Sequence, residues 1–123
     1  MICLDTNYLI LGLVAGSREG RELSEWIASG ERLVTPTLAW CEFLCGPVTA
    51  AQIVTMRAFL HELVPFDESH AAVAADIFKV AARKRSTRID AMIAATAIVA
   101  DATLATNNKD DFKAFRSDGL RLM

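Results

Sequence analysis

Acidic and amide side chains stand at four separate places in the sequence where they could form a chemical site. Each place adjoins an apolar stretch that predicts a strand or a helix. If these side chains met in one crevice, the carboxylates would repel and raise one another's pKa unless a cation joined them. Mg²⁺ or Mn²⁺ suits such oxygen ligands and keeps water molecules for chemistry, including attack on a phosphodiester. The residues are Asp5, Glu42, Asp90 and the group Asn108, Asp110 and Asp111.

Each of these places also has an ordinary structural explanation. Asp5 is placed to cap the helix after it, and TRID at residues 87–90 matches a capping box, in which the acid reaches back to the cap. Glu42 could be a paired structural glutamate, although its apolar neighbours are unusual for a solvated helix face. The acids after ATLAT could form a polar turn. Capping does not exclude metal binding, so both explanations stay open.

The apolar pattern predicts strands alternating with helices, and these elements set where the acids lie. Strands are expected at residues 1–4, 31–35, 63–66, 102–106 and 120–123. Helices are expected over 6–14, from Ser17 to Gly30, from Thr35-Pro36 to Gly46, and over 49–62, 69–85, 87–100 and 109–115. This alternation predicts an α/β fold, three-layer α/β/α with a short, mainly parallel central sheet. Ligands bind at the carboxyl ends of such strands, where all four acidic places fall.

Composition and charge limit the possible functions. The 123 residues fit a single domain, predicted over residues 1–123, and 53% apolar residues suffice for a core. A net charge of -2 predicts no general affinity for polyanions, so binding of nucleic acid would need a basic patch or a bound cation. The candidate patch, which could equally be a solvated helix end, is Arg83, Lys84, Arg85 and Arg88.

The cysteines and the apolar segments predict the compartment. Cys3, Cys41 and Cys45 lie among apolar neighbours, which predicts buried thiols in a reducing compartment. The sequence lacks the pattern of a signal peptide, and its longest apolar stretch is too short to span a membrane. We therefore expect a cytoplasmic protein without membrane contact.

Four segments carry a resemblance to a known family: LDTN at residues 4–7, TPTLAWCEF at 35–43, RIDAMIAATA at 88–97 and LATNNKDDF at 104–112. Together they closely resemble the PIN-domain ribonucleases, and in particular the VapC toxins of prokaryotic toxin–antitoxin pairs. The resemblance covers nearly the whole chain, although residues 47–80 contribute little. It implies a metal-dependent endoribonuclease, usually dimeric, that uses Mg²⁺ or Mn²⁺ to cleave RNA and is silenced by a cognate antitoxin.

The resemblance also assigns site residues. Three residues match the family's principal acids, and these are Asp5, Glu42 and Asp90. Asn108 aligns with a fourth position that is aspartate or often asparagine, and Asp111 aligns with an acid that frequently precedes the phenylalanine. Asn107 stands where arginine is common. The fourth ligand therefore stays open among Asn108, Asp110 and Asp111, and one tightly bound ion is expected.

The expected mechanism is hydrolysis of a phosphodiester bond by an activated water molecule. Asp5 and Asp90 would bind the ion, and Glu42 would bind it directly or through water, or orient the attacking water. The fourth position would complete the outer shell. The Thr6 hydroxyl could contact a carboxylate or a phosphate, or simply help to start the helix.

Two other functions compete with this one. A phosphatase with an aspartate nucleophile would need a second aspartate where Asn7 stands, and no lysine is well placed. A small α/β module for binding or dimerisation would carry the same acids without doing chemistry. Binding of Mn²⁺ would separate this module from an enzyme.

Overall fold

The computed structural model describes residues 1–81 and 88–123 as five strands, seven α-helices and one 3₁₀ segment. In chain order the elements are β1 (Ile2–Leu4), α1 (Thr6–Leu11), α2 (Arg18–Ala28), β2 (Leu33–Pro36), α3 (Thr37–Cys45), α4 (Ala50–Phe59), β3 (Glu62–Val64), α5 (Glu68–Val80), α6 (Arg88–Val99), β4 (Thr103–Ala105), α7 (Lys109–Phe112), the 3₁₀ segment (Lys113–Asp118) and β5 (Arg121–Leu122). The predicted order of strands and helices is confirmed.

The five strands form one parallel sheet in the order β3-β2-β1-β4-β5. Ile2 in the central strand pairs with Leu33 of β2 on one side and with Thr103 of β4 on the other. All residues of β1 and β2 are buried, as expected for parallel strands with helices packed on both faces. The predicted three-layer α/β/α fold is therefore confirmed.

Short polar motifs begin several helices where the sequence predicts them. Ser17 Oγ accepts a 2.9 Å hydrogen bond from the Gly20 N–H at the start of α2. Thr49 and Gln52 form a reciprocal capping box at the start of α4. These contacts satisfy N–H groups that lack partners in the first helical turn. Gly30 follows α2 with a φ of 79°, a conformation that glycine adopts without strain.

Two predicted helix boundaries are wrong. Thr35 does not cap α3, because its hydroxyl donates a 2.7 Å hydrogen bond to the Leu4 carbonyl and so ties β2 to β1. Pro36 is the last residue of β2, opposite Val64, and α3 begins after it. Helix α1 ends before Gly12 rather than at residue 14, consistent with the low helix propensity of glycine.

The cysteine prediction is only partly right. Cys3 is buried in β1, whereas Cys41 and Cys45 are exposed on α3. Ala39 and Phe43 are the residues that α3 buries in the core. A helix turns by about 100° per residue, so positions two residues further along lie on the opposite face. The apolar composition of α3 therefore concealed which side faces the solvent.

None of the helices within the described parts of the chain combines the length and the apolar character needed to cross a lipid bilayer.

Candidate active site

Asp5 is a buried carboxylate at the carboxyl end of the central strand, with 5% of its surface exposed. Its Oδ1 accepts a 2.8 Å hydrogen bond from the Thr6 N–H, which caps α1. Its Oδ2 accepts a 2.7 Å hydrogen bond from the hydroxyl of Thr106, which follows β4. Burial raises the pKa of Asp5, while these two hydrogen bonds lower it. The cap predicted from the sequence is present, and it leaves the carboxylate at the edge of the sheet.

Asp5 shares one cleft with three other residues that the sequence singled out. Glu42 reaches it from the second turn of α3, Asp90 from the first turn of α6, and Asn108 from the turn after β4. The cleft has a volume of about 500 Å³ and also includes Thr6. The topology thus brings together side chains that are far apart in the sequence.

The carboxylates in and beside this cleft influence one another. Burial raises the pKa of Asp90 to about 6, and the negative charges of Asp111, Asp5 and Glu42 add to that rise. Partial burial raises the pKa of Glu42, and the charge of Asp5 raises it further. The Thr6 hydroxyl lowers the pKa of Glu42. Three acids therefore oppose the ionisation of Asp90, and Asp5 opposes that of Glu42.

The candidates for the fourth acidic position have different surroundings. Among the neighbouring charges, that of Asp111 raises the pKa of Asp90 most. Asn108 lines the cleft itself, and its backbone N–H donates a 3.0 Å hydrogen bond to Thr106 Oγ1. Asp110 has a side chain that is 95% exposed, and it pairs with Lys113 at 3.4 Å. Asn108 by its position and Asp111 by its charge are therefore closer to the cleft acids than Asp110, and the fourth position stays a prediction.

The residues predicted to contact RNA are distributed differently. The Thr6 hydroxyl is buried in the cleft and has no partner in hydrogen-bonding geometry among the described residues, although it is near enough to lower the pKa of Glu42. Arg88 is exposed, and its guanidinium lies 5.7 Å from the centre of the Phe78 ring. The remaining candidates lie outside the described residues, and these are Arg83, Lys84 and Arg85. Contact of any of these residues with RNA stays a prediction.

Comparison with known families identifies the fold and its relatives. The sequence model of the family described as PIN domain matches residues 2–117 of this chain. This chain belongs to the PIN-domain family. Members of that family are typically nucleases and generally use divalent metal ions. The fold, the acidic cleft and the sequence resemblance to this family therefore agree.

Several solved structures share this PIN fold at low sequence identity. FitAcB from Neisseria gonorrhoeae has a TM-score of 0.74 at 23% identity, over 100% of this chain and 96% of that one. VapBC2 from Rickettsia felis, bound to a promoter DNA fragment, has a TM-score of 0.79 at 20% identity, over 100% and 98%. A toxin–antitoxin complex from Klebsiella pneumoniae has a TM-score of 0.70 at 24% identity, over 91% and 90%. No curated protein sequence matches the chain.

The donors of this PIN domain fit a hard divalent ion in chemical type and in charge. Carboxylate and amide oxygens are the ligands that Mg²⁺ and Mn²⁺ prefer. A cation would also relieve the charge repulsion that, together with burial, raises the pKa of Asp90. The Thr6 hydroxyl is a buried polar group without a hydrogen-bonding partner in the part of the chain that the structure describes. Within residues 1–81 and 88–123, however, no three His, Cys, Asp or Glu side chains are close enough to share an ion.

Three residues beside the cleft of this PIN domain were not predicted from the sequence. The Thr106 hydroxyl donates a hydrogen bond to Asp5. Arg18 and Glu19 form hydrogen bonds with the side chain of Asn107, the residue after Thr106. The position of Thr106 at the end of a strand beside β1 was a usable signal. The sequence carried no signal for the roles of Arg18 and Glu19, because an amphipathic helix does not indicate a partner 88 or 89 residues away.

Proposed function

We propose that residues 1–123 form a single PIN-like nuclease domain that hydrolyses RNA phosphodiester bonds as a metal-dependent endoribonuclease. The observation that carries the proposal is the meeting of Asp5, Glu42 and Asp90 in one cleft. Their mutual effect on pKa supports it, since carboxylates held together at an electrostatic cost are typical of functional sites. Mg²⁺ or Mn²⁺ is the proposed ion.

The side chains have distinct proposed roles. Asp5 and Asp90 would hold the ion directly, and Glu42 would hold it directly or through water, or orient the attacking water molecule. Asn108 or Asp111 would complete the outer shell. When bound, the ion would lower the pKa of a water molecule and neutralise charge on a phosphodiester oxygen.

Support for Asp5 as a fixed ligand comes from its own contacts. Both of its oxygens accept hydrogen bonds, from the Thr6 N–H and the Thr106 hydroxyl. These contacts orient the carboxylate and favour its charged form, although burial opposes ionisation. The Thr6 hydroxyl makes no hydrogen bond of standard geometry within the described residues, so it is available to Glu42 nearby or to an RNA phosphate.

RNA cleavage by the purified chain tests the proposal. We expect cleavage with Mg²⁺ or Mn²⁺, loss of cleavage with a chelator, and 5′-phosphate and 3′-hydroxyl ends, as hydrolysis by water produces. Asp5→Asn should abolish cleavage. Asp110→Asn is the matched control, because Asp110 is an exposed acid that pairs with Lys113, and it should leave cleavage unchanged. Cleavage that survives both the chelator and Asp5→Asn would refute the mechanism.

We propose further that this chain is the cytoplasmic toxin of a toxin–antitoxin pair, neutralised by a cognate antitoxin and present as a homodimer. Support comes from the similar fold of the toxin–antitoxin complex from Klebsiella pneumoniae. Apolar side chains near the end of α1 could serve either interface, since Val14 is 51% exposed and Ile10 43%. Expression of the chain alone should arrest growth, and co-expression with the product of its neighbouring gene should restore growth.

A catalytically inactive binding or dimerisation module is the second candidate function. It is favoured by the absence of three ligand side chains within reach of one ion in the described part of the chain. Calorimetry with Mn²⁺ separates the two functions, because an inactive module has no reason to bind the ion in this cleft. Binding that disappears in Asp5→Asn but persists in Asp110→Asn would support the nuclease.

A further inference from the structure

The turn formed by residues 106–108 supports Asp5 and also lines the cleft. Thr106 Oγ1 donates to Asp5 Oδ2 and accepts a 3.0 Å hydrogen bond from the Asn108 N–H. Thr106 is buried, whereas the two asparagines that follow it are exposed. The conformation of this turn therefore determines where the Thr106 hydroxyl meets Asp5 and where Asn108 enters the cleft.

Residues of α1 and α2 hold Asn107, the middle residue of the turn. Asn107 Oδ1 accepts a 2.7 Å hydrogen bond from Arg18 Nη2, and Asn107 Nδ2 donates at 3.2 Å to Glu19 Oε1. Arg18 Nη2 also donates to Glu19 Oε1 at 3.0 Å, so the three side chains form a closed ring. The Asn107 N–H donates to Asn7 Oδ1 at 3.3 Å. We call the side-chain set the Arg18–Glu19–Asn107 ring.

Glu19 is the buried member of this ring, with 7% of its surface exposed. Its own backbone N–H, Asn107 and Arg18 hold the pKa of Glu19 below its usual range despite burial. It remains ionised at neutral pH and is not among the described residues that line the cleft. A buried charge is costly without partners, so the hydrogen bonds of Glu19 specify where Asn107 must lie.

We propose that Glu19 is a positioning residue for the candidate active site. Glu19 acts through the Arg18–Glu19–Asn107 ring to hold the Thr106 hydroxyl against Asp5. The inference rests on the proposed nuclease function, since the orientation of Asp5 matters only if Asp5 takes part in chemistry. Outer-shell contacts that orient metal ligands typically affect activity by about 10- to 100-fold. A ring that merely fastened α2 to the sheet would affect stability alone.

Steady-state RNA cleavage by the full chain with saturating Mn²⁺ tests this role. Glu19→Ala should lower kcat by about 10- to 100-fold and leave the KM for RNA unchanged, because Glu19 does not line the cleft. Glu19→Gln retains an oxygen that can accept from Arg18, and should recover most of the activity. Glu25→Ala removes an exposed acid from the same helix and should change neither parameter.

Amide hydrogen exchange in the metal-free protein supplies a second measurement that does not depend on activity. In the intact ring the N–H groups of Asn107 and Asn108 are hydrogen-bonded, to Asn7 and to Thr106. Glu19→Ala should accelerate exchange at these two amides while leaving the amides of β4 unchanged. Equal acceleration throughout the chain would mean a general loss of stability and would overturn the proposal.

A double-mutant cycle tests whether the ring acts as a unit. Asn107→Ala should lower kcat as much as Glu19→Ala, and the double variant should be no slower than either, because each substitution breaks the same contact. Additive effects, or a Glu19→Ala variant as active as the wild type, would overturn the positioning role alone. Absence of cleavage by the wild-type chain would instead overturn the proposed nuclease function on which the role rests.

Discussion

Two aspartates near the starts of successive helices have pKa values shifted in opposite directions. Asp67 caps α5, where its Oδ1 accepts a 2.7 Å hydrogen bond from the Ser69 hydroxyl and lies 2.7 Å from His70 Nδ1. Its hydrogen bonds with Ser69 and His70 lower the pKa of Asp67 to about 2. Asp90 lies in the first turn of α6, where burial and three other acids raise its pKa to about 6.

The difference between them separates a structural carboxylate from a candidate catalytic one. The partners of Asp67 lie two and three residues away on the same helix, and they stabilise its charge locally. The charges that act on Asp90 come from Asp5 at the start of α1, from α3 and from α7, and all of them oppose its ionisation. The fold thus keeps at Asp90 an arrangement that costs stability, as is typical of residues retained for function.

The strongest test of this contrast is the rate of RNA cleavage. Asp90→Asn should lower the rate by about 10³-fold, because metal-assisted stabilisation of charge is worth several kcal/mol in the transition state. Asp67→Ala should leave the rate unchanged, since Asp67 caps α5 and is not among the described residues that line the cleft. Equal cleavage rates for the wild type and Asp90→Asn would show that Asp90, like Asp67, takes no part in catalysis.

A second test uses addition and removal of the metal. Mn²⁺ at 100 times its Kd should raise the free energy of unfolding of the wild type by about 2.7 kcal/mol, and a chelator should reverse the gain. Asp90→Asn should gain less, because it lacks a ligand, whereas Asp67→Ala should gain as much as the wild type. Thermal or chemical denaturation at fixed pH measures each shift, and an equal gain in all three proteins would place the ion elsewhere.

A third test uses pH in the metal-free protein. Because the pKa of Asp90 rises from 3.8 to about 6 on folding, the folded state binds more protons than the unfolded state between these values. Stability contributed by Asp90 therefore falls as pH rises through this window. Asp90→Asn removes the penalty and should stabilise the protein at pH 7 by about 1 kcal/mol, once screening of a partly exposed group is allowed for.

Urea denaturation of both proteins at several pH values measures this difference. The advantage of Asp90→Asn should be complete near pH 7 and should disappear below about pH 3, where Asp90 is protonated in both states. An advantage that is the same at pH 7 and below pH 3 would show that packing, rather than charge, accounts for it.

The smallest expected effect is at the helix cap. Asp67→Ala removes the cap of α5 and should lower the melting temperature by about 4 °C at pH 7. The pKa of Asp67 falls on folding to about 2, so its contribution is complete above about pH 4 and is lost as pH falls towards 2. Melting curves of the two proteins should therefore converge in acid, and a constant difference would contradict the charge-based explanation.

The sequence predicted the order of the elements because each short strand and each helix has its own local signal. Apolar strand runs, Ser17 and the Thr49 cap, and the glycine after α2 all act within a few residues. The meeting of the cleft acids could be predicted once the strands were placed, because a parallel sheet brings the carboxyl ends of its strands to one edge.

Features that depend on orientation or on distant partners could not be predicted. The exposure of Cys41 and Cys45 depends on which face of α3 meets the core. Thr35 precedes a proline, as helix caps often do, but its hydroxyl donates a hydrogen bond to the Leu4 carbonyl in the neighbouring strand. Glu19 meets Asn107 only because α2 packs beside the turn after β4. Each of these outcomes is decided by tertiary packing, which overrides local propensity.

The central position of β1 has a consequence for the newborn polypeptide. β1 pairs with β4, which follows it by about 100 residues, and Asp5 receives its hydrogen bond from a threonine 101 residues later. Contacts so distant along the chain form late in folding. Any chemistry that needs Asp5 in its final orientation would therefore begin only after residues 103–106 have been made and have joined the sheet.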